Sequence, residues 1–185
     1  MKLLLVLSVI WIGFEVLLAR FKRSGKSAKA ADHGTLRWLW VTIIISITAG
    51  VFAGMLNIGH FPVIPGIAYY SGCFLITAGL IIRIVAIMQL RQFFTVNVAI
   101  SDNHQLIDKG MYKTIRHPSY LGALCSFYGL GLAFNSWLSL IIIAVPTTLA
   151  FLYRISVEEK ELIKALGKQY ESYRRRTKRL IPGIF

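Results

Sequence analysis

Two short stretches carry most of the groups able to do chemistry. The first reads Leu106-Ile107-Asp108-Lys109-Gly110-Met111-Tyr112-Lys113-Thr114-Ile115-Arg116-His117-Pro118-Ser119-Tyr120-Leu121-Gly122, and the second Arg154-Ile155-Ser156-Val157-Glu158-Glu159. Pro118 suits the first turn of a helix, where its missing N–H costs nothing. The amides behind it, with His117 and Tyr120, would then offer donors and an aromatic face at a helix N-terminus. The second stretch puts one cation and two carboxylates where the last span leaves the membrane, and the hairpin between them returns the two stretches to one side, so they can meet. Each piece also has a purely structural reading. His117 could simply close a helix end, Glu158 and Glu159 could begin a solvated helix, and Arg83 and Arg154 could reach to headgroups. Cys73 and Cys125 lie in apolar stretches without metal or redox spacing and read as packing residues.

The elements that must position these groups are membrane helices. Hydrophobic residues make up 56% of the 185, and the mean hydropathy is +0.62. Leu3 to Ala19 is apolar except for Glu15 and runs into Arg20, Lys22, Arg23, Lys26 and Lys29, which reads as a retained anchor. Glu15 is expected at the membrane interface in preference to the bundle interior. Trp38 to Ile58 is long enough to cross a core of about 30 Å. Phe61 to Ile82 is a third span, opened by Pro62, Pro65 and Gly66 and continuing through Arg83 to Leu90. Ser119 to Phe134 is short, and Ser136 to Tyr153 returns after a tight turn at Asn135-Ser136, with Pro146 inside it. The tail, Ser156 to Arg176, reads as a surface helix.

The predicted fold is therefore all-α, a single membrane domain of about five spans with a C-terminal cytoplasmic surface helix. Residues 1–90 form three spans, 91–118 a cytoplasmic loop, 119–153 a helical hairpin and 154–185 the tail. Charge placement agrees. Of 21 Lys and Arg, all but Lys2 and Arg83 fall between residues 20 and 37, between 91 and 116, or from 154 onward; the loops at 58–66 and 134–136 have none. The positive-inside rule puts the C-terminus in the cytoplasm. The net charge of +13 thus reads as topology and contact with anionic lipid, not as a nucleic-acid groove.

The run Leu106-x3-Gly110-x-Tyr112-x3-Arg116-His117-Pro118-x-Tyr120-x-Gly122, then Glu158-Glu159, then Gly167-x2-Tyr170-x2-Tyr173, Thr177 and Ile181-Pro182 resembles the isoprenylcysteine carboxyl methyltransferase family. The likeness extends back to Gly79-x3-Arg83-x2-Ala86 and covers roughly residues 79 to 182. Where eukaryotic members carry Asn-Phe-x-His, this chain has Phe93-Phe94-Thr95-Val96. The resemblance implies a membrane-embedded enzyme using S-adenosylmethionine. His104, Gln105, Leu106 and Ile107 would line that cofactor, Tyr112, His117, Pro118, Ser119 and Tyr120 would hold it, and Glu158 would take a polar group such as its amine. Arg154 would sit on the substrate side.

Methyl transfer from a sulfonium is an in-line displacement that needs alignment and exclusion of water. A carboxylate acceptor is already ionised at neutral pH and needs only a guanidinium to orient it, which suits Arg154 with Arg83. An amine acceptor would need a base, from His117 or Glu158. The acceptor is expected to be lipophilic, a small molecule or a prenylated substrate, entering between helices while the cofactor arrives from the cytoplasm. A lipid amine or other small lipophilic acceptor, a reductase sharing the architecture, and a non-catalytic scaffold are the alternatives. The membrane would be the plasma membrane of a bacterium or the endoplasmic reticulum of a eukaryote.

Overall fold

The computed structural model describes residues 1–21, 34–56, 59–62, 66–90 and 106–183. Most of the predicted 91–118 loop, including His104, Gln105 and Phe93 to Val96, lies outside them. The regular elements are all helical: α1 (Lys2–Phe21), α2 (Thr35–Met55), α3 (Ile67–Leu90), α4 (Pro118–Ala133), α5 (Trp137–Leu166) and α6 (Lys168–Arg176), with a 3-10 turn at Gly110–Lys113. Among the described residues α1, α2, α3 and α5 are long and apolar enough to cross a membrane. The 16-residue α4 is the short span; 11 of its residues are buried, so it need not match the full lipid thickness. The protein is a multi-pass integral membrane protein.

Its composition is arranged for lipid. Ile44, Ile45, Phe52, Phe74, Ile81 and Leu149 are exposed on the outside, while Ser46, Ser126, Ser139 and Thr147 are buried. Small hydroxyls inside a membrane bundle can satisfy themselves on helix carbonyls, as Ser126 does on Ile76 and Gly122, whereas the Ser139 hydroxyl has no hydrogen-bond partner among the described residues. Thr147 and Thr148 likewise bond carbonyls of Ile143 and Ala144 beside Pro146, and α5 continues through that proline.

Consecutive spans alternate in direction. Gly72 meets Gly129 and Gly79 meets Gly122, so α3 and α4 run antiparallel with backbones touching: a Cβ on Gly72 would lie 2.5 Å from the Gly129 carbonyl oxygen, and one on Gly122 2.5 Å from that of Gly79. Such close approach is how helices associate where lipid supplies no hydrophobic drive. Along α2 and α5, Thr35 pairs with Arg154 and Gly50 faces Ile143, again antiparallel. α1 lies parallel to α3 through the bond from Leu4 N to Tyr69 Oη (3.1 Å) and the Leu18–Ile87 cluster. Replacing Gly122 with alanine is expected to cost about 1–3 kcal/mol by overpacking, read as a lower unfolding midpoint in detergent. Gly13→Ala, whose new methyl would meet nothing within 4 Å, should leave the midpoint unchanged.

The two uncharged loops meet at one end: Trp137 N donates to Gly59 O (2.8 Å), Phe61 N donates to Asn135 O (3.2 Å), and His60 bridges Ser136. At the other end, Arg116 N and His117 N donate to the carbonyls of Lys178 (2.8 Å) and Arg179 (3.0 Å). The approach to α4 and the C-terminal segment therefore share a side, as the charge distribution requires.

Three expectations change. Glu15 does not sit at an interface but turns inward against Arg83, its side chain 17% exposed. The helix that carries the last span does not end at Tyr153, because no glycine or proline interrupts it between Arg154 and Leu166. It stops at Gly167, in a left-handed conformation (φ 52°) with its N–H on Ile163 O. The expected surface helix from Ser156 is thus the end of α5 plus the short α6, which buries Tyr170 and Tyr173.

Candidate active site

The site is built around the N-terminus of α4, where successive residues face different partners. Arg116 donates from Nε to Glu159 Oε1 (2.7 Å) and from Nη1 to the Thr177 and Arg174 carbonyls. His117 caps α4 and is buried, its Nε2 3.4 Å from Glu159 Oε1 and its ring stacked on Tyr120 at 5.6 Å between centroids. Pro118 occupies the first turn. Ser119 accepts from Arg83 Nη1 at both Oγ (3.0 Å) and its carbonyl (3.1 Å). Tyr120 donates its hydroxyl to Glu158 Oε2 (2.8 Å) and accepts from Arg154 Nε (3.1 Å).

Helical spacing explains the two groups on α5. Arg154 and Glu158 stand four residues apart, on one face, and share Tyr120. Glu159 is rotated away by one residue and joins a different cluster, with Arg116, His117, Arg179 at 3.2 Å and Arg174 at 3.8 Å. Glu159 is 2% exposed, whereas Glu158 is half-buried. One carboxylate locks the C-terminal segment to α4; the other is left at the edge of a polar network. Arg154 is itself buried and donates from Nη1 to Thr35 Oγ1 (2.9 Å), which ties the network to α2.

The 3-10 turn docks beneath. Gln89 Oε1 at the end of α3 accepts from Met111 N (2.9 Å). The left-handed Gly110 (φ 58°) leaves room for that amide, since a Cβ there would lie 2.6 Å from Gln89 Oε1. Tyr112 is buried, its hydroxyl directed at the Ala86 carbonyl and its own carbonyl receiving the Tyr173 hydroxyl (2.7 Å). Burial pushes the phenols of Tyr112, Tyr170 and Tyr173 well above their ordinary range, so they stay neutral.

Of the sequence-predicted residues, Tyr112, His117, Pro118, Ser119, Tyr120, Arg154, Glu158 and Arg83 come together around the start of α4. Leu106 and Ile107 are half-buried in the segment leading to the 3-10 turn, and His104 and Gln105 fall outside the described residues. The expected free amides at the helix start are largely taken, since Tyr120 N and Leu121 N both bond His117 O. Polar recognition here therefore rests on side chains. Sequence reasoning missed Thr35, Gln89 and the inward turn of Glu15. The last had a signal: Glu15 is the lone acid in its span and Arg83 the lone base at membrane depth.

Residues 72–164, half of the chain, match the isoprenylcysteine carboxyl methyltransferase (ICMT) family. The chain belongs to that family. Its matched region runs from the glycine seam of α3 through Glu158 and Glu159 and so contains the network just described, apart from Glu15, Thr35 and the C-terminal segment. Among similar proteins, the protein-S-isoprenylcysteine O-methyltransferase of Schizosaccharomyces pombe is 27% identical over 179 residues, covering 90% of this chain and 76% of that one. Methanethiol S-methyltransferase 1 of Bradyrhizobium diazoefficiens is 35% identical over 72 residues, covering 39% of this chain and 24% of the other. A solved structure of the eukaryotic intramembrane Ras methyltransferase ICMT superposes with a TM-score of 0.61 at 24% identity, over 78% of this chain and 52% of that one. The chain thus spans about half the length of that structure, and the likeness shows the shared fold. ICMT membership makes methyl transfer the class of reaction and requires a methyl donor.

Proposed function

We propose that this ICMT-family protein transfers a methyl group from S-adenosylmethionine to the carboxylate of a lipophilic, S-prenylated cysteine acceptor at the cytoplasmic face of a membrane. The observation that carries the reading is the polar network Glu158–Tyr120–Arg154, set at the N-terminus of a membrane helix and paired with the family's motif. The residues fit the donor. Glu158 is a half-buried carboxylate able to take an ammonium group, His117 and Tyr120 give a stacked aromatic face, and the half-buried Leu106 and Ile107, just before the turn that carries Tyr112, would contact the donor's apolar parts. Bound there, the donor would supply a sulfonium methyl to an acceptor oxygen, with a neutral thioether as leaving group and no proton to be moved.

The chain's own work is orientation. Arg154 holds Tyr120 with Nε and Thr35 with Nη1, so its guanidinium is fixed in angle. Arg83 is fixed likewise by Ser119. Two fixed guanidinium groups flanking the start of α4 suit a planar acid better than an amine, which would need a base to deprotonate it. The methanethiol enzyme's similarity marks a thiol as the second acceptor class to assay. Calorimetry with S-adenosylmethionine on detergent-purified protein tests the reading. Glu158→Gln and His117→Ala are each expected to weaken binding tenfold or more, about 1.4 kcal/mol. A folded wild type that binds no S-adenosylmethionine would overturn it.

A further inference from the structure

The acid on α1 has no part in the chemistry above, yet it occupies Arg83. Arg83 Nη1 is committed to Ser119, while Nη2 reaches Glu15 Oε2 at 2.8 Å and Nε lies 2.5 Å from Glu15 Oε1. Glu15 thus covers the Nε/Nη2 edge of the guanidinium, the edge with which arginine grips a carboxylate in two-pronged fashion. Of that pair of contacts only the Nη2 leg is a well-formed hydrogen bond; Arg83 Nε and Glu15 Oε1 are buried and lack one.

Among the described residues α1 is also the least buried of the long apolar helices. Its inward stripe is Leu4, Leu7, Trp11, Phe14, Glu15 and Leu18, while Leu5, Val9, Ile12, Val16 and Leu17 face outward. No glycine of α1 approaches another backbone, since Gly13 meets nothing within 4 Å, in contrast to the seam of α3 and α4. Its described attachments are one hydrogen bond to Tyr69, the packing of Leu4, Leu7 and Trp11 in the main core with the Trp11–Phe127 ring contact at 4.8 Å, the Leu18–Ile87 cluster and the Arg83 pair.

We propose that Glu15 is an internal stand-in for the acceptor carboxylate: it fills the Arg83 seat in the resting enzyme, an incoming acid displaces it, and α1 is the wall that yields. The inference rests on the carboxylate reading above. It makes Glu15 a positioning and specificity residue acting through Arg83. A neutral lipid cannot compete for the seat, so the bundle opens only for an acid. Methylation removes the acceptor's charge, and the neutral ester surrenders the guanidinium to Glu15, so the same residue that admits the acid expels the product.

The test uses the full chain in lipid nanodiscs with an N-acetylated S-prenyl cysteine bearing a free carboxylate, and its carboxamide. Binding of each is measured without methyl donor, so the readout needs no turnover. Glu15→Gln is expected to tighten carboxylate binding about tenfold and leave the carboxamide unchanged, with KM falling more than kcat changes. Equal weakening of both probes, or no change in either, would overturn the inference while wild-type methylation of the carboxylate left the proposed function standing. A wild type that neither binds nor methylates the carboxylate sinks both. If Glu15→Gln does not fold, a Leu18→Cys, Ile87→Cys pair keeps the question decidable. Oxidation should lower carboxylate binding at least tenfold and reductant should restore it; unaltered binding in the oxidised form would overturn the inference.

Discussion

Glu159→Ala is expected to release the C-terminal segment from the bundle and, with it, binding of the methyl donor. The carboxylate is buried and touched by Arg116, His117, Arg179 and, at longer range, Arg174. Removing one member of such a cluster leaves cations in a poorly solvated place, at a cost of roughly 3–5 kcal/mol. The loss falls on one seam. Residues 114–117 and 178–179 are joined there by three backbone bonds, and Tyr173 holds the Tyr112 carbonyl. Limited proteolysis should show cleavage near residues 177–183 in the variant at protease levels the wild type resists. Calorimetry should show donor binding lost. The neighbouring Glu158→Gln makes the contrast: unchanged proteolysis and weakened binding. If both variants behave alike, the division of labour between the two carboxylates is wrong.

Arg154→Lys is expected to lower the single-turnover rate of methyl transfer about a hundredfold or more, the scale on which small misplacement acts in an alignment-driven reaction. The guanidinium spans two diverging partners, Tyr120 and Thr35, and a single ammonium on a flexible stem cannot fix both. Donor affinity should change by less than tenfold, because Glu158 keeps its bond from Tyr120. A parallel loss of affinity and rate would make Arg154 a mere support for Tyr120, and the acceptor-orienting role would pass to Arg83 alone.

The helices and their alternation were legible because lipid imposes a simple rule: long uncharged runs cross, and charges gather on one side. Which carboxylate of Glu158-Glu159 does which job was not legible, since adjacent residues differ only by a rotation of about 100° on the helix, and that phase is set by how α5 leans on α4. The end of α5 was misjudged for a related reason. Polarity begins at Arg154, but the helix needs a backbone signal to stop, and the first is Gly167. Glu15 was misplaced because a single acid near a span's end looks the same whether it faces water or an arginine two spans later. Only the count of one acid and one base at membrane depth, Glu15 and Arg83, pointed inward. Thr35 and Gln89 gave no signal, as a threonine or glutamine at a helix end is ordinary until its partner is known.

The loops at the far end from the site have a consequence of their own. Gly59, in a left-handed conformation (φ 71°), lies against the Trp137 indole, with 2.5 Å between a would-be Cβ and Nε1. Backbone bonds cross-link Gly59, Phe61, Asn135 and Trp137, and Ser136 is fully buried. A protein that draws a charged, water-soluble molecule into membrane depth from one side risks becoming a leak for protons and ions. In the proposed methyltransferase these uncharged, cross-linked loops would tie the bundle together at the end opposite the donor site, so that a charged molecule admitted from one compartment need not open a path to the other.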